Sequence, residues 1–348
     1  MELEAIPVAS SPDEFELYLT SKLNQQQETI LNGKVRFGLR GGELKLSLEN
    51  ASMSAIVSSL SPSFEKVKNA LTIYPTWIIR AKPGEKFIHD HLTQVKLGTI
   101  KIKEQPYQLR ATFTVKGAHL HLTDIEGLWR HDITPNKHGV LERKLASFLL
   151  QTKLNPYLSQ TVLGSPDFSF QPSSSHQQPE EASRPTTSEL TNILQIVYQA
   201  PTNDFLELAK IAGLNPLTDL AGGNLVGAEL SGVDLNSANL QCVNLRGADL
   251  TDADLSEANL SYAILSGADL SGAYLEGANL HHANLHSASL ALANLIGADL
   301  TAANLQDTNL TNTTFANAKL TGAVFANNTG LSEENRQSLQ ARGAGFSP

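Results

Sequence analysis

Apolar positions follow two regimes along this chain. From Thr218 to Asn327 an apolar residue recurs at every fifth position, 22 times from 220 to 325, and all are Leu except Phe315 and Phe325. Two residues before each stands a small side chain, usually Ala, with Asp or Asn between, as in Ala238-Asn239-Leu240 and Ala248-Asp249-Leu250. Departures are mild: Thr218, Gly223, Val233, Val243, Thr308 and Thr313 replace Ala, while Ile264, Tyr274 and Val324 replace Asp or Asn.

A period of five excludes a regular helix, because five residues turn the chain by roughly 500° and define no face. In a straight strand Leu and the preceding Ala share a face, but the next Leu, an odd number away, points to the other side. Both residues stay inside only if the chain runs extended for about three residues and then bends, once per pentad. Gly227, Gly232, Gly247, Gly267, Gly272, Gly277, Gly297 and Gly322 occupy the bend, where φ > 0 costs glycine nothing. Such a chain winds into a solenoid. Leu260 then points inward and Ser261 outward.

The first 163 residues carry ordinary periods. Ser11-Pro12-Asp13-Glu14 reads as a capping box opening a helix, with Phe15, Tyr18, Leu19 and Leu23 on one face. Val35, Phe37 and Leu39, then Gly41-Gly42, then Leu44, Leu46 and Leu48 predict a hairpin. Residues 51–71 read as helical. Strands are predicted at 76–80, 94–103, 108–116 and 119–122, and a helix from Gly139 to Leu154 that stops before Asn155-Pro156.

Residues 1–163 are therefore read as one α+β domain. Residues 164–188, rich in Pro, Ser and Gln, are a flexible linker that cannot bury enough to order itself. Residues 189–217 form a helical cap, with Leu190, Ile193, Leu194, Val197 and Tyr198 on one stripe and Phe205, Leu208, Ala209 and Ala212 on another. A solenoid end needs such a cover, because its open backbone and leucines invite aggregation. The repeat solenoid occupies 218–330, and a cap helix opened by Ser332 occupies 331–348.

The A-(D/N)-L-x-x array resembles the pentapeptide-repeat family, and the stretch after Gly330 resembles the terminal helix of its cyanobacterial members. The resemblance implies an all-β right-handed quadrilateral β-helix with four pentads per coil. Its 22 pentads then give a rod of about 26 Å at the usual interstrand spacing, with a less regular last coil after Asn304. It also implies no shared catalytic residues and a regulatory or scaffolding role exerted by protein contact.

Charge changes the picture in one respect. Residues 218–330 hold 11 acids and only Arg246 and Lys319 as bases, whereas the rest of the chain is balanced. The rod should repel phosphate backbones, so direct nucleic-acid binding is not expected. Some family members imitate B-DNA and occupy type II topoisomerases, and Glu229, Asp249 and Asp269 on one wall with Asp234 and Asp254 on the next make that an alternative. A single cysteine, Cys242, points to a reducing, cytoplasmic setting, and neither a signal peptide nor a membrane span is expected.

Candidate chemistry is sparse. His89, His91, His119 and His121 form two H-x-H pairs that strands could present to a divalent metal. A surface reading is preferred, so no metal or cofactor is expected and the chain is not read as an enzyme. A ligand-binding or metal-binding N-terminal domain, with the rod as a targeting module, stays open beside this. On the rod, four pentads per coil bring Tyr274, Leu292 and Ile296 together, with Asp254, Glu257 and Glu276 beside them. This apolar centre with an acidic rim is the first candidate for a protein partner. A second gathers Tyr262, Ile264, His281, His282 and His286, with His282 stacked over Tyr262.

Overall fold

The computed structural model describes residues 1–9, 11–22, 25–31, 33–57, 59–61, 64–66, 75–80, 88, 91–105, 107–129, 132–154, 159–164 and 185–346. Most of the stretch read as a linker lies outside the described residues, as does His89. The chain divides into two compact units, one of 1–128 with 148–186 and one of 129–147 with 187–348.

The first unit is built from antiparallel strands: β1 (Glu2–Val8), β2 (Ser11–Lys22), β3 (Gln26–Ile30), β4 (Gly33–Leu39), β5 (Gly41–Glu49), β6 (Ala51–Ile56), β7 (Ser59–Ser61), β8 (Phe64–Lys66), β9 (Thr76–Arg80), β10 (His91–Ile102), β11 (Gln108–Thr114), β12 (Leu120–Glu126) and β13 (Ser159–Gly164). Three sheets result, in the orders β1-β2-β10-β6, β13-β11-β5-β9-β8-β7 and β12-β4-β3. Leu17, Leu19, Val35, Phe37, Leu44, Leu46, Leu97, Leu109 and Phe113 of these strands are buried. Trp77 is wholly buried and donates its indole N–H to the Val57 carbonyl at 3.0 Å.

Three expectations fail here. The helix read from Ser11 is strand β2, paired on both sides with β1 and β10. Phe15, Leu17 and Leu19 alternate with Glu16, Tyr18 and Thr20, and this period of two outweighs a capping box that fits a helix only locally. The helical reading of 51–71 is replaced by β6, β7 and β8 over its described residues. The hairpin at Gly41-Gly42 is absent: β4 pairs with β3 and β12, while β5 pairs with β9 and β11. The chain changes sheets there. Gly42 is required because the Phe113 ring lies where a side chain would stand, so it serves close packing rather than a turn.

In the second unit each pentad of 218–327 repeats one backbone unit. Parallel bridges link residues 20 apart, from Asn224 with Asn244 to Asn309 with Thr329, so four pentads close each coil. Within a pentad, a turn bond such as Ala248 N–H to Leu245 O (3.1 Å) makes the corner. Every corner, at each fifth residue from 222 to 327, has φ > 0, although only nine of them are glycine. Leu and Ala side chains fill the interior, with Leu250, Leu255 and Leu260 entirely inaccessible. Thr308 and Thr313 fit because their hydroxyls donate to the Leu305 and Leu290 carbonyls at 2.7 Å. After Asn304 the bridges and the φ > 0 corners continue, but the last coil is less regular, as expected. Thr308 Oγ1 and Asn328 Nδ2 both donate to the Leu305 carbonyl, and the corner at 326–327 lacks the turn of the others.

The N-terminal end of the rod is closed by helices α1 (Pro135–Leu149), α2 (Thr187–Gln199) and α3 (Phe205–Ile211). The latter two were expected. Helix α1 was expected from Gly139 within the first domain; it starts at Pro135, and its residues 135–147 belong to the rod's unit. The Asn136 amide meets the Glu229 backbone on both sides: Nδ2 donates to its carbonyl at 2.9 Å and Oδ1 accepts its N–H at 2.8 Å. One side chain thus stands in for the coil that would precede the first.

Gly139 permits this approach, because a Cβ there would lie 2.5 Å from Leu225 Cδ2. Beyond it, Asn224 donates to Glu142 Oε2 at 3.1 Å and the buried Arg143 donates to the Asp219 carbonyl. Burial pushes the Arg143 guanidinium down to about 10, against the opposing pull of Asp219 and Glu142, so it stays charged at neutral pH. Lys137 Nζ donates to the Tyr198 and Ala200 carbonyls at 3.1 and 2.6 Å, which ties α1 to the end of α2.

At the other end α4 (Glu333–Ala341) is capped by Ser332, whose hydroxyl accepts the Asn335 N–H at 3.1 Å. Beyond it β15 (Gly345–Phe346) pairs in parallel with β14 (Val324–Phe325) of the last coil, and Phe346 stacks on Phe325 at 5.1 Å. No helix among the described residues is long and apolar enough to cross a membrane.

Candidate docking wall of the solenoid

Asp and Asn recur for a reason visible in the corners. In most pentads this residue's Oδ1 accepts the backbone N–H two positions on, as Asp249 does from Thr251 (3.0 Å) and Asn294 from Ile296 (3.1 Å). The acceptor satisfies an N–H that faces outward at the bend. Ionised acids gain from it: hydrogen bonds from Ser256, its backbone N–H first, hold the Asp254 carboxyl below the usual carboxylate range.

Against this rule three residues stand out on the wall that carries 234, 254, 274, 294 and 314. Tyr274 bridges Asp254 below and Asn294 above, has no carbonyl to offer its bend, and is 54% exposed. Leu292 sits at the preceding corner with φ +63° and is 66% exposed. Ile296 sits half-buried at the following corner, one coil above Glu276. A bulky residue in the left-handed region costs roughly 1–2 kcal/mol. Leucine has no polar group to compensate for this, and its exposure gains nothing. These are departures from the repeat's own chemistry, gathered in one place.

Acids flank the patch on both corners. Gly272 and Gly277 leave gaps at the level of Tyr274, and the carboxylates of Asp252 and Glu257 rise from the coil below to fill them, so that a Cβ on either glycine would clash with them. Glu276 is exposed on the same coil, and Asp234 and Asp254 continue downward beneath Tyr274. Sequence reading missed Asp252; its signal was a glycine exactly one coil later, which is informative only once the coil length is known. The neighbouring column runs Glu229, Asp249 and Asp269, then turns neutral at Ser289 and Asn309.

The second candidate cluster also assembles. Tyr262 and His282 stack at 5.0 Å with rings 21° apart, and His281 meets both edge-on at 5.9 and 4.3 Å. His286 turns to Asp307 at 3.3 Å and to the Gln306 carbonyl, and Ile264 lies on the wall between Asn244 and Asn284. These aromatic residues satisfy one another, so less surface is left for a partner than at Tyr274. The H-x-H pairs fare differently. His119 ends a 3-10 turn rather than lying in a strand, so it does not share a strand face with His121 of β12, and the side chain of His91 lies outside the described residues. Among the described residues no three His, Cys, Asp or Glu side chains group as metal ligands would.

The pentapeptide-repeat family model matches residues 217–252, 253–291 and 293–327 in eight copies. The chain is a pentapeptide-repeat protein. Membership brings the right-handed quadrilateral β-helix with it, in accord with the 20-residue bridges. Among solved pentapeptide repeat proteins, Rfr23 from the cyanobacterium Cyanothece 51142 is 41% identical over 27% of this chain and 64% of that one, with a TM-score of 0.26. HetL from the cyanobacterium Nostoc sp. strain PCC 7120, involved in heterocyst differentiation regulation, is 34% identical over 32% of this chain and 61% of that one, with a TM-score of 0.26. A pentapeptide repeat protein of the Arabidopsis thaliana thylakoid lumen is 31% identical over 37% of this chain and 79% of that one, with a TM-score of 0.23. The chain spans less than two thirds of the first two of these proteins. Among curated proteins no sequence matches it.

In this pentapeptide-repeat protein the strain at Leu292 can be measured. Leu292→Gly should raise stability by up to about 1 kcal/mol, the left-handed cost less the entropy lost in ordering a glycine. Urea denaturation checks this, and an unchanged or lowered midpoint would remove the strain argument.

Proposed function

We propose that the protein is a non-catalytic docking scaffold, acting in a reducing, cytoplasmic setting, that binds a protein partner on the wall centred on Tyr274. The observation that carries this reading is the pairing of exposure with structural cost: Tyr274 and Leu292 are the two most exposed large apolar side chains described, and each breaks the repeat's chemistry at its position. Costly exposed residues persist where something other than folding retains them. The wall is rigid, backbone-paired on both edges, so little order is lost when a partner binds. Imitation of DNA at a type II topoisomerase draws less support, because the acidic columns end after Asp269 and at Tyr274.

The test is a triple variant, Tyr274→Ser, Leu292→Ser and Ile296→Ser. Stability should stay within about 1–2 kcal/mol of the parent, as for surface changes that create no cavity. Capture of the partner that a photo-crosslinker at position 292 identifies in the native host should fall tenfold or more. Undiminished capture by the folded variant would move the search to the wall of Tyr262 and His282.

A further inference from the structure

The charge around Tyr274 narrows the chemistry of the occupant. Between Thr218 and Gly330 the only cations are Arg246 and Lys319. Arg246 lies at the corner before the Asp249 wall, and Lys319 is on a different wall, where it meets Asp299 at 3.4 Å. No cation of the rod therefore stands on the Tyr274 wall to neutralise its acids. These acids are arranged on both sides of the apolar centre rather than scattered. The Asp252 carboxylate lies over Gly272 at one corner, and that of Glu257 over Gly277 at the other, beside Glu276. One wall separates the corners, on the order of 10 Å for three extended residues.

We propose that this wall takes a cationic segment of a partner protein: an apolar side chain seated against Tyr274 and Leu292, with Lys or Arg on each side reaching Asp252 at one corner and Glu257 and Glu276 at the other. The proposal rests on the docking reading and adds the partner's charge and its order along the segment. An acidic segment would meet unscreened repulsion at both corners, and an uncharged one would leave the rim unmatched. Two cations flanking one apolar anchor fit a site whose carboxylates flank one tyrosine.

Three synthetic peptides test it against the full chain by fluorescence anisotropy. The first has two Lys on each side of a Leu-Phe-Leu core, the second replaces Lys by Glu, and the third keeps Lys but replaces the core by Ser. The first should bind at least tenfold tighter than the others and weaken severalfold between about 50 and 300 mM salt, as screened charge pairs do. The variant Asp252→Asn, Glu257→Gln, Glu276→Gln should lose tenfold or more of that affinity with its melting temperature kept. The control Glu229→Gln, Asp249→Asn, Asp269→Asn on the neighbouring wall should lose little. Equal losses in both variants, or no binding of the first peptide in the high micromolar range, overturn the proposal. Tighter binding by the Glu peptide that still needs Tyr274, Leu292 and Ile296 overturns the cationic occupant and leaves the docking wall standing. Binding of the first peptide that ignores those three apolar residues counts against both.

Discussion

Leu260→Asp is expected to unfold the rod. Leu260 is wholly inaccessible, and its N–H donates to the Asn279 carbonyl of the next coil at 2.8 Å. A carboxylate there would have no partner among the leucines, at a cost of several kcal/mol. Damage at this point also divides the rod, because each coil contacts only its neighbours and the pieces on either side are short. Urea denaturation should show either a large fall in midpoint or no folded baseline. Ser237→Asp, exposed at a corner, should stay within about 0.5 kcal/mol. Similar losses in both would mean that the assignment of inside and outside is wrong. Ser261, outward by register, would be a poor control: it is only 5% exposed, beside the aromatic cluster of Tyr262, His281 and His282.

Cutting the chain between Phe170 and Ser188 is expected to leave two fragments that stay together. The expectation from sequence alone is two independent pieces, but the N-terminal fragment would carry residues 129–147, which belong to the rod's unit. Separation would leave both backbone groups of Glu229 without Asn136 and would strip the buried Arg143 and Glu142 of their partners. Each unsatisfied group costs about 1–3 kcal/mol, more where charge is involved. Size-exclusion chromatography of the nicked protein should show one species. The substitutions Asn136→Leu and Gly139→Leu should release the fragments, the first by removing the paired amide and the second by colliding with Leu225. Fragments that separate freely from the parent chain would show that α1 does not hold the end of the rod.

Residues 218–327 were legible because every pentad repeats the same local problem. Leu and Ala must face inward, the bend needs φ > 0, and Asp or Asn satisfies the bend's own N–H; all three requirements lie within five residues. The period therefore determined the solenoid and its inward residues, and the four-pentad coil that the family resemblance implies added the stacking of Tyr262 under His282. Elements whose partners are distant in sequence were not legible in this way. Strand β2 looks helical until β1 and β10 supply its backbone partners, and Gly41-Gly42 looks like a hairpin until β4 and β5 are seen in different sheets. Helix α1 presented an evident apolar stripe. Its second face, Asn136, Gly139, Glu142 and Arg143, is polar, and polar residues read as solvent-facing unless their buried partners are known. Here those partners are residues 219–229, more than seventy positions away. Similarly, once the resemblance supplied four pentads per coil, counting located Tyr274, Leu292 and Ile296 on one wall. The rise of Asp252 and Glu257 over Gly272 and Gly277 was decided by side-chain packing between coils, which a five-residue period does not specify.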